Sequence, residues 1–211
     1  MPHLRLGVLA SHGGSNLQAI IDACKQGALD AEVAVVISNN ASSKALSRAA
    51  RESIPRYHLS GATHPDFEQL DEEITRTLEK HQVDLVVLAG YMKKVGPRTL
   101  RRYPRRILNI HPALLPKFGG VGMYGRGVHE AVLAAGEDVT GVTIHMVDAE
   151  YDHGPVIAQT EVPVVEGDTP DSLAERVLER EHTFYVETLE RIASGSLDLD
   201  LPSQNQPADR S

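Results

Sequence analysis

Residues 107–116, Ile-Leu-Asn-Ile-His-Pro-Ala-Leu-Leu-Pro, place two polar side chains at the end of a predicted buried strand. Asn109 and His111 are two positions apart, so their side chains point to the same face of that strand. Pro112 ends the strand because it has no N–H group for a neighbouring strand. Open α/β sheets bind ligands at such strand ends. The stretch is therefore either a candidate site or a strand end with a structural histidine, and the remaining sequence has to decide.

On the N-terminal side of this stretch, apolar strands alternate with helices. Strands are predicted at about 4–10, 32–38, 57–59 and 83–90, separated by helices at about 17–24, 42–52 and 65–81. The unbroken apolar run that ends at Gly90 is typical of parallel strands covered on both faces. This alternation predicts an α/β fold with a doubly wound, mostly parallel sheet.

On the C-terminal side the pattern changes. Two extended segments, 139–147 and 155–165, predict an antiparallel extension of the sheet, and an acidic loop joins them. A final helix should begin after Thr169, a good N-cap that is followed by proline, and end near residue 192. We expect residues 1–193 to form a single domain and the polar residues 194–211 to form a disordered tail.

The composition restricts the class of protein. The chain has 211 residues and a formal net charge of −8, which argues against nucleic-acid binding through phosphate neutralisation. Cys24 is the only cysteine, so an intrachain disulfide or a cysteine-based zinc site is not expected. No stretch is apolar for long enough to predict a signal peptide or a membrane span. We therefore expect a cytoplasmic protein with no nucleic-acid or membrane partner.

A glycine turn, Gly13-Gly14-Ser15-Asn16, joins the first strand to the first helix. Glycines allow close backbone approach, and the free N–H groups and dipole of a helix N-terminus favour anions. The turn is neither a G-x-G-x-x-G fingerprint nor a Walker loop, so a phosphate monoester fits better than a dinucleotide or triphosphate. The alternative is a plain tight turn in which Ser15 or Asn16 is the N-cap.

Two acidic residues are candidates for function. Asp152 lies in the predicted loop between the last two strands, where an aspartate most often caps its own backbone. Glu181 falls on the apolar stripe of the last predicted helix and needs a partner, either a ligand or a nearby arginine. His153 has no second ligand at helical spacing, so a metal site is not predicted.

Four motifs occur in the order found in one enzyme family: Gly14-Ser-Asn-Leu-Gln18, Leu88-Ala-Gly-Tyr-Met92, Asn109-Ile-His-Pro-Ala-Leu-Leu-Pro116 and Asp152-His-Gly-Pro155. Over about residues 4–192 the chain resembles the folate-dependent phosphoribosylglycinamide formyltransferases. The resemblance implies a Rossmann-like formyltransferase fold. It also implies metal-free transfer of a formyl group from 10-formyltetrahydrofolate, the co-substrate, to the amine of glycinamide ribonucleotide in de novo purine biosynthesis.

The resemblance implies a role for each matched residue. Asn109 would donate to the developing oxyanion, and His111 would stabilise the same oxygen or transfer a proton. Asp152 would raise the pKa of His111 towards the working pH. Ribonucleotide binding is implied for Gly14, Ser15, Asn16, Pro112 and Glu181. Folate binding is implied for Met92, Lys93, Val95, Asn109, Val147, Asp148 and Tyr151.

The sequence departs from the family pattern around the folate. Lys93 stands where an arginine is common, and a second arginine expected near Phe67 is not there. These departures leave the binding of the folate glutamate tail unassigned, whereas the residues for the chemistry are present.

Three alternatives stay open. A formyltetrahydrofolate deformylase normally carries an extra N-terminal regulatory domain, and a methionyl-tRNA formyltransferase carries a C-terminal tRNA-binding domain for which the expected tail is too short. A non-catalytic nucleotide-binding module would not require Asn109, His111 and Asp152 together. The expected partners are the two small-molecule substrates, and a homodimer is left open.

Overall fold

The computed structural model describes residues 3–200, which form seven strands and six helices. The strands are β1 Leu4–Leu9, β2 Ala31–Ser38, β3 Arg56–His58, β4 Leu85–Leu88, β5 Ile107–His111, β6 Val139–Met146 and β7 Val156–Pro163. The helices are α1 Ser15–Gln26, α2 Lys44–Arg51, α3 Phe67–Lys80, α4 Pro97–Arg102, α5 Arg126–Ala134 and α6 Pro170–Ala193. In this described part of the chain, no helix is long and apolar enough to cross a membrane.

The strands form one sheet in the order β3-β2-β1-β4-β5-β6-β7. Neighbours from β3 to β5 are parallel, whereas β6 and β7 are added antiparallel. The chain runs outward from β1 to β3 and then returns to β4 on the other side of β1. The carboxyl ends of β1 and β4 therefore flank the switch point at which open α/β sheets bind ligands. The predicted doubly wound sheet with an antiparallel extension is confirmed.

Two apolar clusters cover the two faces of this sheet. Helices α1, α2, α5 and α6 contribute to one cluster, and α3 contributes to the other. In β4, Val87 belongs to the first cluster and Val86 to the second, as expected for a strand buried on both faces. Tyr185 of α6 is buried, and its hydroxyl donates to the carbonyl oxygens of Leu88 and Leu108, each at 3.2 Å. These hydrogen bonds join α6 to the end of β4 and to β5.

The segment after α6 packs on the domain as far as Asp200, so the expected disorder from residue 194 is wrong for this part. Leu199 is buried in the core cluster, and its carbonyl accepts a 2.7 Å hydrogen bond from Nε of Arg105. Arg106 pairs with Asp200 at 2.7 Å. The few leucines of this polar stretch form too short a pattern to predict this packing, which depends on tertiary contacts. The rest of the predicted tail, 201–211, lies outside the described residues.

Candidate active site

Four polar side chains meet beyond the middle of the sheet, at the carboxyl end of β5. Asn109 and His111 lie on the same face of β5, as their spacing predicts, and His111 is 3% exposed. The antiparallel neighbour β6 places His145 directly opposite Asn109. Asp152 follows in the loop between β6 and β7, with its side chain 11% exposed. We call Asn109, His111, His145 and Asp152 the polar cluster.

The carboxylate of Asp152 lies between the two imidazoles of the polar cluster. Its Oδ2 is 3.5 Å from Nδ1 of His111, and its Oδ1 is 3.5 Å from Nε2 of His145. The Asn109 amide nitrogen is 3.1 Å from Nε2 of His145 and 3.5 Å from Oδ1 of Asp152. The structure therefore brings the three predicted catalytic residues together. It adds His145, which the sequence analysis missed because only the pairing of β5 with β6 reveals its position.

Backbone carbonyls fix the orientation of both imidazoles. Nε2 of His111 is 2.7 Å from the carbonyl oxygen of Phe118, and Nδ1 of His145 is 2.8 Å from its neighbour, the carbonyl oxygen of Met146. A carbonyl can only accept, so each of these nitrogens carries a hydrogen. In the neutral rings, the nitrogens that face Asp152 are consequently unprotonated. The cluster can therefore take up a proton between an imidazole nitrogen and the carboxylate.

Burial and the neighbouring groups have opposing effects on the pKa values of His111 and Asp152. Burial lowers the pKa of His111 more than the charge of Asp152 raises it, so the net shift is downward. Burial alone would raise the pKa of Asp152, but its contacts with His145, His111 and the Gly120 N–H together lower it. Asp152 thus contributes the upward effect on the His111 pKa that the resemblance implies, but burial outweighs it.

The backbone around the cluster adopts conformations that most residues avoid. Phe118 has φ 57° and Asp152 has φ 54°, both in the left-handed region. Such positions cost about 1–3 kcal/mol each and persist only when the surrounding structure fixes them. Asp152 is fixed in part by the Gly120 N–H, which donates to Oδ2 at 3.0 Å. A Cβ at Gly154 would collide with the carbonyl of Met146, so glycine is required where the loop turns back to the sheet.

The glycine turn has the geometry of an anion site. Gly14 is the N-cap of α1 with φ 67°, and no side chain in the described chain caps this helix end. The alternative in which Ser15 or Asn16 is the N-cap is therefore wrong. A Cβ at Gly14 would lie 2.9 Å from Cα of Ala45 in α2, so the close packing of the turn also requires glycine. The first N–H groups of α1 are left for a ligand.

Glu181 finds its partner in the glycine turn, not in an arginine. It is 8% exposed, and its Oε2 accepts a 2.8 Å hydrogen bond from the amide nitrogen of Asn16. Burial raises the Glu181 pKa to about 7, against the smaller opposing effect of this hydrogen bond. The amide oxygen of Asn16 is buried without a partner among the described residues. A buried acceptor without a donor indicates that a ligand hydroxyl or N–H can be accommodated here.

We expect Glu181→Gln to remove a pH-dependent loss of stability. The Glu181 pKa is raised from 4.5 to about 7 in the folded protein. Its contribution to the free energy of unfolding is therefore complete below pH 4.5 and is lost as the pH rises through 7. Between pH 4.5 and pH 8, the free energy of unfolding of the wild type should fall by about 3 kcal/mol relative to that of Glu181→Gln. Urea unfolding of both proteins from pH 4.5 to 8 measures this, and a constant difference would contradict it.

The residues that the resemblance assigned to folate lie in two segments. Met92, Lys93 and Val95 follow β4, with the first two exposed and Val95 buried. Val147, Asp148 and Tyr151 follow β6. Val95 and Val147 belong to the apolar cluster on the α3 face, so the two segments share one side of the sheet. Pro112 is partly buried directly after His111.

The fold and the site define a doubly wound α/β protein with a polar cluster at the carboxyl end of β5 and, after β1, a helix N-terminus that no side chain caps among the described residues. The family described as formyl transferase matches residues 4–189, and the chain belongs to this family. The resemblance inferred from the four motifs is thereby confirmed.

Individual relatives agree with this assignment. The chloroplastic phosphoribosylglycinamide formyltransferase of Arabidopsis thaliana is 42% identical over 88% of this chain, and that of Escherichia coli is 38% identical over 93%. The match spans 64% of the Arabidopsis protein and 90% of the E. coli protein. The crystal structure of glycinamide ribonucleotide transformylase 1 from Symbiobacterium toebii has a TM-score of 0.86 and 43% identity, covering 92% of this chain and 90% of that one.

Proposed function

We propose that this protein transfers the formyl group of 10-formyltetrahydrofolate to the amine of glycinamide ribonucleotide. The observation that carries the proposal is the convergence of Asn109, His111 and Asp152 at one strand end. The names of the Arabidopsis and E. coli relatives support the choice of acceptor. Family membership supports a folate-type formyl donor. We further propose that residues 1–193 act as one domain in the cytoplasm, with these small molecules as partners.

Asn109 stabilises the charge that forms when the amine attacks. The new bond between the amine nitrogen and the formyl carbon places negative charge on the formyl oxygen. One hydrogen of the Asn109 amide is held by His145 at 3.1 Å, whereas the contact with Asp152 at 3.5 Å is at the limit of a hydrogen bond. The second hydrogen is therefore available to the oxyanion, as electrostatic stabilisation of such an intermediate requires.

His111 and Asp152 move the proton. The attacking amine must lose a proton, and N10 of the folate must gain one when its bond to the formyl carbon breaks. Nδ1 of His111 faces Asp152 and is unprotonated in the neutral ring, so the pair accepts the first proton and returns it to the leaving nitrogen. Because no net proton is consumed, the cluster is restored after each turnover.

The glycine turn and α6 hold the ribonucleotide. The N–H groups of Gly14, Ser15 and Asn16 bind its phosphate, and the buried acceptors of Asn16 and Glu181 take its hydroxyl groups. Pro112, directly after His111, lines the part of the ribonucleotide site that is next to this imidazole. The folate lies along the two segments that contain Met92, Lys93, Val95, Val147, Asp148 and Tyr151.

Three parallel assays test the proposed function. The enzyme is given 10-formyltetrahydrofolate with glycinamide ribonucleotide, with no acceptor, or with methionyl-tRNA. Formylated ribonucleotide formed in the first assay alone supports the proposal. Formate released without an acceptor would indicate a deformylase, formylated tRNA would indicate the tRNA enzyme, and no consumption of the donor would indicate a binding module.

Gly14→Ala is expected to raise the KM for the ribonucleotide at least about tenfold and to leave the KM for the folate near wild type. The added Cβ at φ 67° would press on Ala45 and displace the N–H groups that bind the phosphate. Steady-state kinetics measures both constants. Gly13→Ala is the packing control, because a Cβ there meets no described atom within 4 Å. Equal ribonucleotide KM values for Gly14→Ala and wild type would contradict the phosphate site.

A further inference from the structure

One buried hydroxyl connects three loops at the carboxyl end of the sheet. Ser11 is fully buried just after β1, and the glycine turn begins two residues later. Its Oγ donates to the side-chain oxygen of Asn39, which follows β2, at 2.6 Å. The same Oγ accepts a 2.7 Å hydrogen bond from the backbone N–H of Met92, in the segment after β4. The Ser11 N–H also donates to the carbonyl of Gly90 at 3.0 Å.

The segment from Met92 to Gly96 is thus anchored at its start by Ser11, and a second side chain anchors its end. Asp71 of α3 is buried, and its carboxylate accepts hydrogen bonds from the N–H groups of Arg98 and Thr99 at 2.7 and 3.1 Å. A Cβ at Gly96 would collide with this carboxylate, so the chain passes directly over it. Between the two anchors, the segment exposes residues 92–94.

The two anchors, Ser11 and Asp71, lie on different elements of the fold. Ser11 belongs to the same connection between β1 and α1 as the glycine turn, so a movement of that turn shifts the acceptor of the Met92 N–H. Asp71 lies on α3, which is not part of that connection. Both anchors shape the segment after β4, but only Ser11 links it to the glycine turn.

We propose that Ser11 is a positioning residue that couples the two substrate sites, so that ribonucleotide on the glycine turn favours folate on the segment after β4. This inference rests on the proposed function, which places the ribonucleotide phosphate and the folate on these two segments. The coupling is reciprocal, because a change in one binding constant caused by the other ligand works equally in both directions.

Three variants test the proposal. Ser11→Ala should raise the dissociation constant of tetrahydrofolate about tenfold, because the Met92 N–H loses its acceptor, while kcat stays within about twofold. It should also abolish the change in that constant when glycinamide ribonucleotide is added. Asp71→Asn should weaken tetrahydrofolate binding and retain the effect of the ribonucleotide. Ser38→Ala is the matched control, since Ser38 is equally buried and bonds to the backbone of Asn40.

Titration calorimetry with tetrahydrofolate, with and without the ribonucleotide, gives these constants without any reaction taking place. The proposal is overturned if wild type shows no effect of the ribonucleotide, or if Ser11→Ala keeps the wild-type effect. Loss of the ribonucleotide effect in Ser38→Ala would also overturn the proposal, because the coupling would then not depend specifically on Ser11. The formyl-transfer assay of wild type is independent: its failure removes the proposed function, whereas these results address only the coupling.

Discussion

Replacing His111 with alanine is expected to lower kcat by about 10²- to 10⁴-fold, with the KM for both substrates near wild type. The imidazole is buried, its Nε2 is held by the Phe118 carbonyl at 2.7 Å, and its Nδ1 faces Asp152. In the proposed mechanism this imidazole acts on the proton that moves during the reaction, so we expect it to add little to ground-state binding. Steady-state kinetics at saturating concentrations of both substrates measures the effect.

His129→Ala provides the control for loss of a buried imidazole. His129 is buried in α5, and its Nδ1 has no hydrogen-bond partner among the described residues. Its removal leaves a cavity of about the same size and breaks no hydrogen bond described for the polar cluster, although the charges of His129 and His111 interact. Stability should therefore fall in both variants, and kcat should stay within about tenfold of wild type only for His129→Ala. If His111→Ala also kept kcat within that range, His111 would have no part in proton transfer.

The parts of the fold that could be predicted are those with strong local patterns. β4 is a continuous apolar run because both of its faces are covered, and α6 begins with a capping box at Thr169. α4 was missed, because its six residues are too few to show helical periodicity and its start is stabilised by Asp71 from another helix. Leu199 was missed for a related reason, since its burial depends on tertiary contacts alone.

The same distinction holds for the site. The period of two in β5 places Asn109 beside His111 from sequence alone. The contact of His145 with this pair depends on the register of β6 against β5, and the contact of Asn16 with Glu181 depends on how α1 packs against α6. Neither can be deduced from spacing along the chain. The direction of the His111 pKa shift depends on burial, which the sequence does not give.

Asp152→Asn is expected to lower the pKa of His111 further and to reduce kcat steeply. Burial already lowers this pKa, and the charge of Asp152 opposes that effect. Asparagine keeps the shape and can still accept from the Gly120 N–H, but it has no charge to stabilise the imidazolium. The form of His111 that holds the proton after attack is then less populated at neutral pH, and the rate falls with it.

NMR titration of the imidazole protons in wild type and Asp152→Asn separates the two ways in which this carboxylate can act. A lowered His111 pKa together with a lowered kcat supports action through the imidazole. An unchanged pKa with a collapsed rate would instead mean that Asp152 carries the proton itself, directly or through water, and an unchanged rate would remove it from the mechanism. Asp148→Asn is the control, because it removes a carboxylate from the same loop that pairs with the exposed His153 at 2.9 Å. Its effect on the His111 pKa should be small, since the charges that shift this pKa are those of Asp152 and His145.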